Sequence, residues 1–492
     1  MANLEMKNWL SQRAYITPNR TALVYEGMEW TYEELDHSAR ELAKKLSTHG
    51  VKQGKHVGFL MDNTPDTVIL IHAIHYLSAV LIPLNKRLSI RELSYQLGDS
   101  DADWLIVDQH HTSIAEQLPF NHVLFIEDVK RTRIEDIELF DTINLDDLHS
   151  IIYTSGTTGY AKGVMLTYGN HWWSATGSAL NLGIQEDDRW LCCVPLFHVS
   201  GLSIVMRSVM YGTAMVLHAS FDPVKFNISI HEERITIASV VTVMLSKVLG
   251  LESELPYPSS FRCMLLGGGP APLPLLETCK AKDIPVYQTY GLSESSSQIV
   301  TLAPEDSLRK LGSAGKPLFP SQIKIVTEDH VNTGEGEIFI KGPNVTTGYY
   351  KKEAVNNERF NDGWLATGDI GYLDEEGFLY VLDRRNDLFI SGGENVYPAE
   401  VEACLIGHED VAEAGVIGID DKKWGKTPAA FIVLMDGTNT TEHDFVGYCE
   451  KRLAKYKVPS RVQFVDALPR NASNKLLRRE LHRLLKDVNN EG

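Results

Sequence analysis

A loop rich in glycine and hydroxyl side chains, residues 154–163 (TSGTTGYAKG), is suited to binding an anion. Glycine lets the backbone approach a ligand closely because it has no Cβ. The loop amides can then form a nest for phosphate groups, and Lys162 adds a positive charge. The Walker A spacing is not met, and an ordinary surface turn is the alternative interpretation. The residues assigned to phosphate binding are Thr154, Ser155, Gly156, Thr157, Thr158, Gly159 and Lys162.

The elements that must position this loop have the pattern of an α/β protein. An apolar run at 149–153 predicts a buried strand that enters the loop directly. Further short strands alternate with helical segments over the first 300 residues, which predicts parallel sheets covered on both faces. The loops at 267–270 and 290–294 each follow an apolar run. We therefore expect both at carboxyl ends of strands, where ligands of open α/β sheets bind.

Length and composition limit the possible partners. A chain of 492 residues predicts two or more domains. The net charge of −18 argues against nucleic acid as a partner, so any phosphate site must be local. Six cysteines without metal-binding spacing, and a start without an apolar signal core, predict reduced thiols and a cytoplasmic location. The longest apolar tract, 68–82, is too short to span a bilayer, so we expect no membrane insertion.

A change in pattern divides the chain. Beyond about residue 300, short strands separated by glycines predict a small β-rich subdomain. A charged break at 383–387 precedes a compact α+β unit that ends in a basic helix from about Lys475. We expect an N-terminal domain over 1–382 and a mobile C-terminal domain over 383–492.

Five motifs, taken together, resemble those of the acyl-adenylate-forming enzymes, the AMP-dependent synthetases and ligases. They are the loop at 154–163, 290–294 (YGLSE), 367–369 (TGD), Asp383-Arg384 and Lys475, and their order and spacing match the family over nearly the whole chain. The resemblance implies that ATP activates a carboxylic acid as an acyl adenylate, with Mg²⁺, before CoA accepts the acyl group. Negative charge develops on phosphate oxygens in such a reaction, so electrostatic stabilisation is the main catalytic requirement.

The resemblance also implies roles for single residues. Lys475 would bridge the substrate carboxylate and the α-phosphate, Glu294 with Thr154 would hold Mg²⁺, and Asp383 would be the hinge between domains. A solvated lysine, a surface carboxylate, a core tyrosine and a structural ion pair are the respective alternatives for Lys475, Glu294, Tyr290 and Arg384. Asn474, where the family usually has glycine, and Tyr160-Ala161 are departures from the pattern. The further nucleotide-binding residues implied are Gly267, Gly268, Gly269, Tyr290, Gly291, Ser293, Asp369, Asp383 and Arg384.

Five segments (188–191, 195–202, 265–276, 298–301 and 468–477) resemble one subgroup of aryl-CoA ligases more closely. This implies an aromatic keto-dicarboxylate as the acid. Its pocket needs apolar walls and a few donors, and His198 would sense a carboxylate or gate the pocket, unless it is simply a packed histidine. No arginine lies inside these motifs, so we expect water to mediate contact with the second carboxylate. The pocket candidates are His198, Ser200, Gly201, Thr289, Ser296, Ser297 and Gln298.

Three rival functions remain open at this point. The first is an acyl- or aryl-CoA synthetase with a different acid pocket. The second is an adenylation enzyme that loads a carrier protein. The third is a non-catalytic nucleotide-binding module, which the absence of Lys475 or Glu294 would have favoured. We expect small-molecule substrates (an aromatic carboxylic acid, ATP and CoA), and homo-oligomerisation is left open.

Overall fold

The structure is a computed structural model that describes most of the chain. It covers residues 4–134, 136–154, 161–251, 256–268, 271–307, 309–327, 334–384, 387–391, 394–421, 424–438, 440–453, 455–470 and 476–487. For residues 383, 384, 390, 394, 395, 486 and 487 it describes the backbone alone.

Short strands are the commonest regular element. In chain order they are β1 (Glu5–Lys7), β2 (Thr21–Tyr25), β3 (Met28–Thr31), β4 (His56–Leu60), β5 (Val80–Pro83), β6 (Trp104–Val107), β7 (Val123–Phe125), β8 (Thr142–Asn144), β9 (Leu148–Thr154), β10 (Lys162–Thr167), β11 (Arg189–Cys192), β12 (Ala214–Leu217), β13 (Ile237–Val241), β14 (Cys263–Gly267), β15 (Val286–Leu292), β16 (Ser297–Thr301), β17 (Lys316–Pro317), β18 (Gln322–Val326), β19 (Gly336–Lys341), β20 (Phe360–Asn361), β21 (Trp364–Leu373), β22 (Leu379–Arg384), β23 (Phe389–Ser391), β24 (Glu394–Val396), β25 (Val411–Asp421), β26 (Gly425–Leu434) and β27 (Arg461–Phe464).

Helices separate many of these strands. They are α1 (Trp9–Ile16), α2 (Tyr32–Thr48), α3 (Pro65–Tyr76), α4 (Ile90–Asp99), α5 (Thr112–Ala115), α6 (Ile126–Arg131), α7 (Tyr168–Leu182), α8 (Val199–Tyr211), α9 (Pro223–Glu232), α10 (Thr242–Leu249), α11 (Leu273–Ala281), α12 (Glu353–Arg359), α13 (Pro398–Ile406), α14 (Glu442–Glu450) and α15 (Arg478–Asp487). Short 3₁₀ helices occur at Gln109–His111, Ser293–Ser295, Pro304–Asp306 and Lys455–Lys457.

Two large sheets carry the N-terminal part of the chain. One has the order β10-β9-β5-β4-β6-β7 and the other β17-β16-β15-β14-β13-β11-β12-β2-β3. Their central strands are parallel, whereas the pairs β9–β10, β15–β16, β16–β17 and β2–β3 at the edges are antiparallel. The predicted α/β class with parallel sheets is confirmed.

Two smaller sheets follow. The first joins β18, β19, β21 and β20, with β22 paired to β21, and it is the predicted β-rich subdomain. The second joins β24, β23, β26 and β25, with β27 paired to β26, and α13, α14 and α15 pack around it. This is the predicted C-terminal α+β domain. The last helix begins at Arg478, three residues later than the sequence predicts.

Local sequence explains the helices that support the sheets. The Thr31 hydroxyl caps α2 by accepting a hydrogen bond from the Glu34 amide, and the Thr31 amide donates one to the Glu34 carboxylate, as predicted. The apolar tract at 68–82 forms the core helix α3, buried on every side, followed by the buried strand β5. The described part of the chain contains no helix that is long and apolar enough to cross a membrane.

The cores follow the same division as the sheets. The apolar residues of the C-terminal domain form two clusters made only of residues from Phe389 onwards. Strand β22 nevertheless continues to Arg384 on the β-rich subdomain. The boundary between 382 and 383 therefore falls inside a strand, and the division into these two domains stays a proposal. All six cysteines are free thiols, five of them buried, as predicted.

Candidate functional site

The two strands that flank the predicted phosphate loop pair with each other. Strand β9 ends at Thr154, and β10 begins at Lys162, which pairs with it in antiparallel register. At Gly163 an added Cβ would lie 2.6 Å from a side-chain methyl of Ile151, so a larger residue would require Ile151 to move. The loop residues Ser155, Gly156, Thr157, Thr158 and Gly159 lie outside the described residues.

Lys162 and Glu294 meet at one tyrosine. The ammonium of Lys162 lies over the ring of Tyr349, 5.6 Å from its centroid. The hydroxyl of Tyr349 donates a hydrogen bond of 2.9 Å to Oε1 of Glu294. The structure thus brings the predicted phosphate-binding lysine and the predicted metal ligand to opposite parts of the same side chain.

The predicted adenine and ribose residues also lie side by side. The Tyr290 hydroxyl donates a hydrogen bond of 2.8 Å to Oδ2 of Asp369, and both side chains are buried. A Cβ on Gly291 would lie 1.8 Å from the carbonyl oxygen of Ser297, so the backbones of β15 and β16 cross here without room for a side chain. On the neighbouring strand, Gly267 lies against Thr289. Gly268 has φ +84°, and Gly269 lies outside the described residues.

A stripe of polar side chains on α8 faces the antiparallel pair formed by β15 and β16. Ser200, Ser203 and Arg207 lie three and four positions apart, so they share one face of the helix. The Ser203 hydroxyl is 3.4 Å from the hydroxyl of Ser297. Next to it, Ser174 on α7 donates to the Ser296 carbonyl at 2.7 Å. Three segments distant in sequence therefore meet around residues 296–297.

Arg207 is a residue that sequence reasoning missed. It is 1% exposed, and its guanidinium stacks over Trp190 at 5.5 Å and donates to Ser174 Oγ at 3.4 Å. Its Nε has no hydrogen-bond partner among the described residues, and burial lowers the pKa of the group. A buried arginine with an unused donor favours an anionic ligand. The signal was a single charged residue in an otherwise uncharged helix, 199–211.

The other predicted pocket residues differ in their surroundings. Gln298 is 2% exposed, and its Nε2 has no partner within the described chain. The Thr289 hydroxyl hydrogen-bonds to the Val300 carbonyl and to the Thr301 hydroxyl inside the sheet. His198 occupies the N-cap position of α8 without a side-chain capping hydrogen bond, and its ring packs on Phe197, with ring centroids 4.6 Å apart. Ser200 is exposed, and Gly201 is buried against the Pro195 carbonyl.

The remaining predicted residues are only partly described. Ser293 begins the 3₁₀ helix that carries Glu294. Asp383 and Arg384 belong by their backbone to β22, where Arg384 pairs with Asp369. Lys475 lies outside the described residues.

Four buried histidines form a row, and His171 at one end of it faces Arg207 on α8. The ring centroids of His75 and His149 are 4.3 Å apart, and those of His149 and His171 are 4.2 Å apart, while His72 adjoins His75. Burial lowers the pKa of His72 to about 4 and that of His171, which also faces Arg207, to about 3. Burial likewise holds the pKa values of His75 and His149 well below the usual range. All four imidazoles are therefore neutral in the folded protein at neutral pH.

Comparison with known proteins identifies the class to which this fold and site belong. The chain matches the AMP-binding enzyme family over residues 10–350 and the AMP-binding enzyme C-terminal domain over residues 400–475. It belongs to the AMP-binding enzyme family, and the resemblance seen in its motifs is confirmed.

Particular relatives lie close to it. It is 52% identical over 488 residues to 2-succinylbenzoate–CoA ligase of Geobacillus sp. (strain WCH70), covering 98% of both chains. It superposes with a TM-score of 0.92 and 48% identity on o-succinylbenzoate CoA synthetase (MenE) from Bacillus subtilis in complex with the acyl-adenylate intermediate OSB-AMP, covering 97% of this chain and 98% of that one. The form of that synthetase with ATP and a magnesium ion gives a TM-score of 0.92 at 47% identity, covering 97% and 100%.

Proposed function

We propose that the protein is an ATP-dependent acid–thiol ligase that converts 2-succinylbenzoate and CoA to 2-succinylbenzoyl-CoA, AMP and pyrophosphate through an acyl adenylate. This is a step of menaquinone biosynthesis. The full-length similarity to a ligase named for this acid supports the choice. The six free thiols fit work in the reducing cytoplasm.

The observation that carries the proposal is the buried Arg207, which donates a hydrogen bond to Ser174, the residue that in turn donates to the Ser296 carbonyl. Among carboxylic acids, one with a second negative group would use such a guanidinium. 2-Succinylbenzoate has a succinyl carboxylate to be activated and a ring carboxylate that remains unreacted. We assign Arg207, with Gln298, to the ring carboxylate, either directly or through one water molecule. Arg207 lies outside the pocket motifs, so its assignment adds a cation to the water-mediated contact expected from the sequence.

In the first half-reaction, an oxygen of the succinyl carboxylate attacks the α-phosphorus of ATP, and pyrophosphate leaves. Lys162 and the loop at 154–163 would hold the β- and γ-phosphates. Tyr290 would lie against the adenine, and Asp369 would accept hydrogen bonds from the ribose. Lys475 would bridge the attacking carboxylate and the α-phosphate.

The residues present suit Mg²⁺. The Glu294 carboxylate is partly exposed beside Lys162, and a carboxylate is the ligand that this hard cation prefers. Glu294 and Thr154 would hold the ion, which when bound would supply a divalent charge to the phosphate oxygens. Tyr349 orients the carboxylate by its hydrogen bond.

In the second half-reaction, the CoA sulfur attacks the acyl carbon, the thioester forms and AMP leaves. We propose that the C-terminal domain turns about Asp383 between the two steps, so that the turn at 391–398 replaces Lys475 and lines the path of the thiol. The pairing of β22 up to Arg384 places the end of this strand at the proposed hinge.

The test is pyrophosphate release from ATP across a panel of carboxylic acids, with and without CoA. We expect 2-succinylbenzoate to give the highest kcat/KM, and multiple turnovers to require CoA. Medium-chain fatty acids that compete better than 2-succinylbenzoate would reject the assigned acid. Turnover that needs a carrier protein in place of CoA would reject the assigned acceptor.

A further inference from the structure

Tyr349 connects two charged groups of the proposed site without belonging to any of its motifs. It is 7% exposed and follows Gly348 in the segment between β19 and α12. Its hydroxyl donates to Glu294 Oε1 at 2.9 Å, and its ring lies beneath the Lys162 ammonium. The backbone amide of Thr346, three residues earlier, donates to the Glu294 carbonyl at 2.7 Å. Side chain and backbone of Glu294 are thus both held by the segment that carries Tyr349.

The backbone of Tyr349 is fixed on two sides. Asn356 on α12 accepts a hydrogen bond from the Tyr349 amide at 2.8 Å and donates one to its carbonyl at 3.0 Å. On the other side, Tyr349 forms an antiparallel bridge with Val164 of β10, and the Tyr350 amide donates to the Gly163 carbonyl at 2.8 Å. Strand β10 starts at Lys162, so the tyrosine is anchored to the base of the phosphate loop.

We infer that Tyr349 is a positioning residue for metal-assisted nucleotide binding, an inference that rests on the proposed function. Its hydroxyl occupies Oε1 of Glu294 and fixes the rotation of the carboxylate, which leaves Oε2 to face the cation. Its ring carries the Lys162 ammonium on the phosphate side. Lys162 lies over the Tyr349 ring and Glu294 accepts from the Tyr349 hydroxyl, and within the described residues no ion pair joins the two charges.

The physical reason is competition between opposite charges. A lysine and a glutamate that line one site attract each other, and a direct pair would withdraw the cation from phosphate and the carboxylate from Mg²⁺. Tyr349 binds both, with different parts of one rigid side chain, and so keeps them available. Residues that hydrogen-bond to a metal ligand in this way typically contribute about 10- to 100-fold to metal affinity.

A tyrosine that only fills the core is the alternative. It would also be buried and would also satisfy its hydroxyl on a nearby carboxylate. The two roles differ in one measurable quantity, the factor by which Mg²⁺ tightens nucleotide binding. A purely structural residue would change nucleotide affinity equally with and without the metal.

The experiment measures this factor by calorimetry with the full chain and an ATP analogue whose α–β bridge is a methylene group, in EDTA and in excess Mg²⁺. Three variants are compared with the wild type: Tyr349→Phe, Glu294→Gln and Tyr350→Phe. Tyr350 is the matched control because its hydroxyl donates to Asp101 at 2.8 Å, away from Glu294. Thermal unfolding checks that each variant folds.

We expect Tyr349→Phe to reduce the tightening by Mg²⁺ about tenfold while leaving the affinity in EDTA unchanged. Glu294→Gln should remove most of the tightening, and Tyr350→Phe should retain all of it. Asn356→Ala, which loosens the backbone of Tyr349 without touching Glu294, should give a smaller reduction and serves if Tyr349→Phe is unstable.

Full tightening in Tyr349→Phe, or an equal loss of affinity with and without Mg²⁺, would overturn the inference. The wild type binding the analogue equally well with and without Mg²⁺ would also overturn it. No acid and no CoA enter this measurement, so a failure of 2-succinylbenzoate in the substrate panel would leave its outcome unaffected and the two failures distinguishable.

Discussion

The two ends of the candidate site are built in different ways. At the nucleotide end, Lys162, Tyr290 and Glu294 lie at a hairpin tip and at the end of a strand, inside short continuous motifs. At the acid end, Ser174, Arg207 and Ser296 come from two helices and a turn, and all three are buried. The nucleotide end consists of local loops. The acid end forms only when segments distant in sequence pack together.

The difference follows from the ligands. Phosphate oxygens are bound by successive backbone amides and glycines, which must be neighbours in the chain. The two carboxylates of one particular acid are recognised by charge and shape, which any elements of the fold can supply. The residues that bind phosphate are therefore found in the motifs, whereas the residues that select the acid are brought together by packing.

The largest effect should come from the residue proposed to act at both ends. Lys475→Ala removes the cation between carboxylate and α-phosphate, so we expect adenylation to fall by about 10³-fold for every acid. Thioester formation from supplied acyl adenylate should be retained, because Lys475 is proposed to leave the site for that step. Separate assays of the two half-reactions check this, and equal losses in both would contradict the two-state assignment.

Glu294→Gln should affect only the nucleotide end. Loss of the carboxylate charge is expected to lower kcat/KM for adenylation by about 10²-fold, since the phosphate charge is then less well compensated. The ranking of acids should stay the same, as the acid end is untouched. Pyrophosphate release across the same panel measures both quantities, and a changed ranking would show that the two ends are not independent.

The smallest expected effect is on the pH dependence of protein stability, and it comes from the row of buried histidines. His72, His75, His149 and His171 are neutral when folded but have ordinary pKa values near 6.5 when unfolded. Below that value the unfolded chain binds more protons, so stability is lost as the pH falls, by up to about 1.4 kcal/mol per pH unit for each histidine. The charged and titratable groups that face this row are Arg207 and Tyr168.

The histidine row can be tested with His149→Leu, which removes one titrating group from its centre. We expect the fall of the unfolding midpoint between neutral and mildly acidic pH to become shallower. His110→Asn tests the sign, because the hydrogen bond to Asp62 raises the pKa of this exposed histidine, so its removal should make the fall slightly steeper. An unchanged slope in His149→Leu would show that other groups control acid lability.

Much of the fold could be predicted because its signals are local. The capping box at Thr31, the core helix α3 and the strand β9 follow from residues close together in sequence. Strand β10 was not predicted, since its six residues carry no strong strand pattern and its place in the sheet comes from antiparallel pairing with β9. The β-rich subdomain was predicted from its glycines and short apolar runs.

The candidate site shows the same contrast between local signals and contacts distant in sequence. Glu294 and Lys162 could be identified from motifs, but their meeting at Tyr349 joins residues more than 50 positions apart, which no local pattern indicates. Arg207 was missed because it looks like an ordinary charge on a helix until Ser174 of α7 and Trp190 of β11 pack against it. Thr289 is a pocket candidate because of its hydroxyl, which in the structure forms a hydrogen bond within the sheet.

The central claim is that Arg207 binds the second carboxylate of the acid, the one on the ring. The direct measurement is kcat/KM for 2-succinylbenzoate and for benzoylpropionate, which lacks the ring carboxylate, in the wild type and in Arg207→Met. We expect the wild type to prefer 2-succinylbenzoate by about 10²-fold or more. Benzoylpropionate would leave the buried guanidinium of Arg207 unpaired, which disfavours its binding. In Arg207→Met that preference should collapse, with the KM for ATP unchanged. An undiminished preference in the variant would contradict the claim.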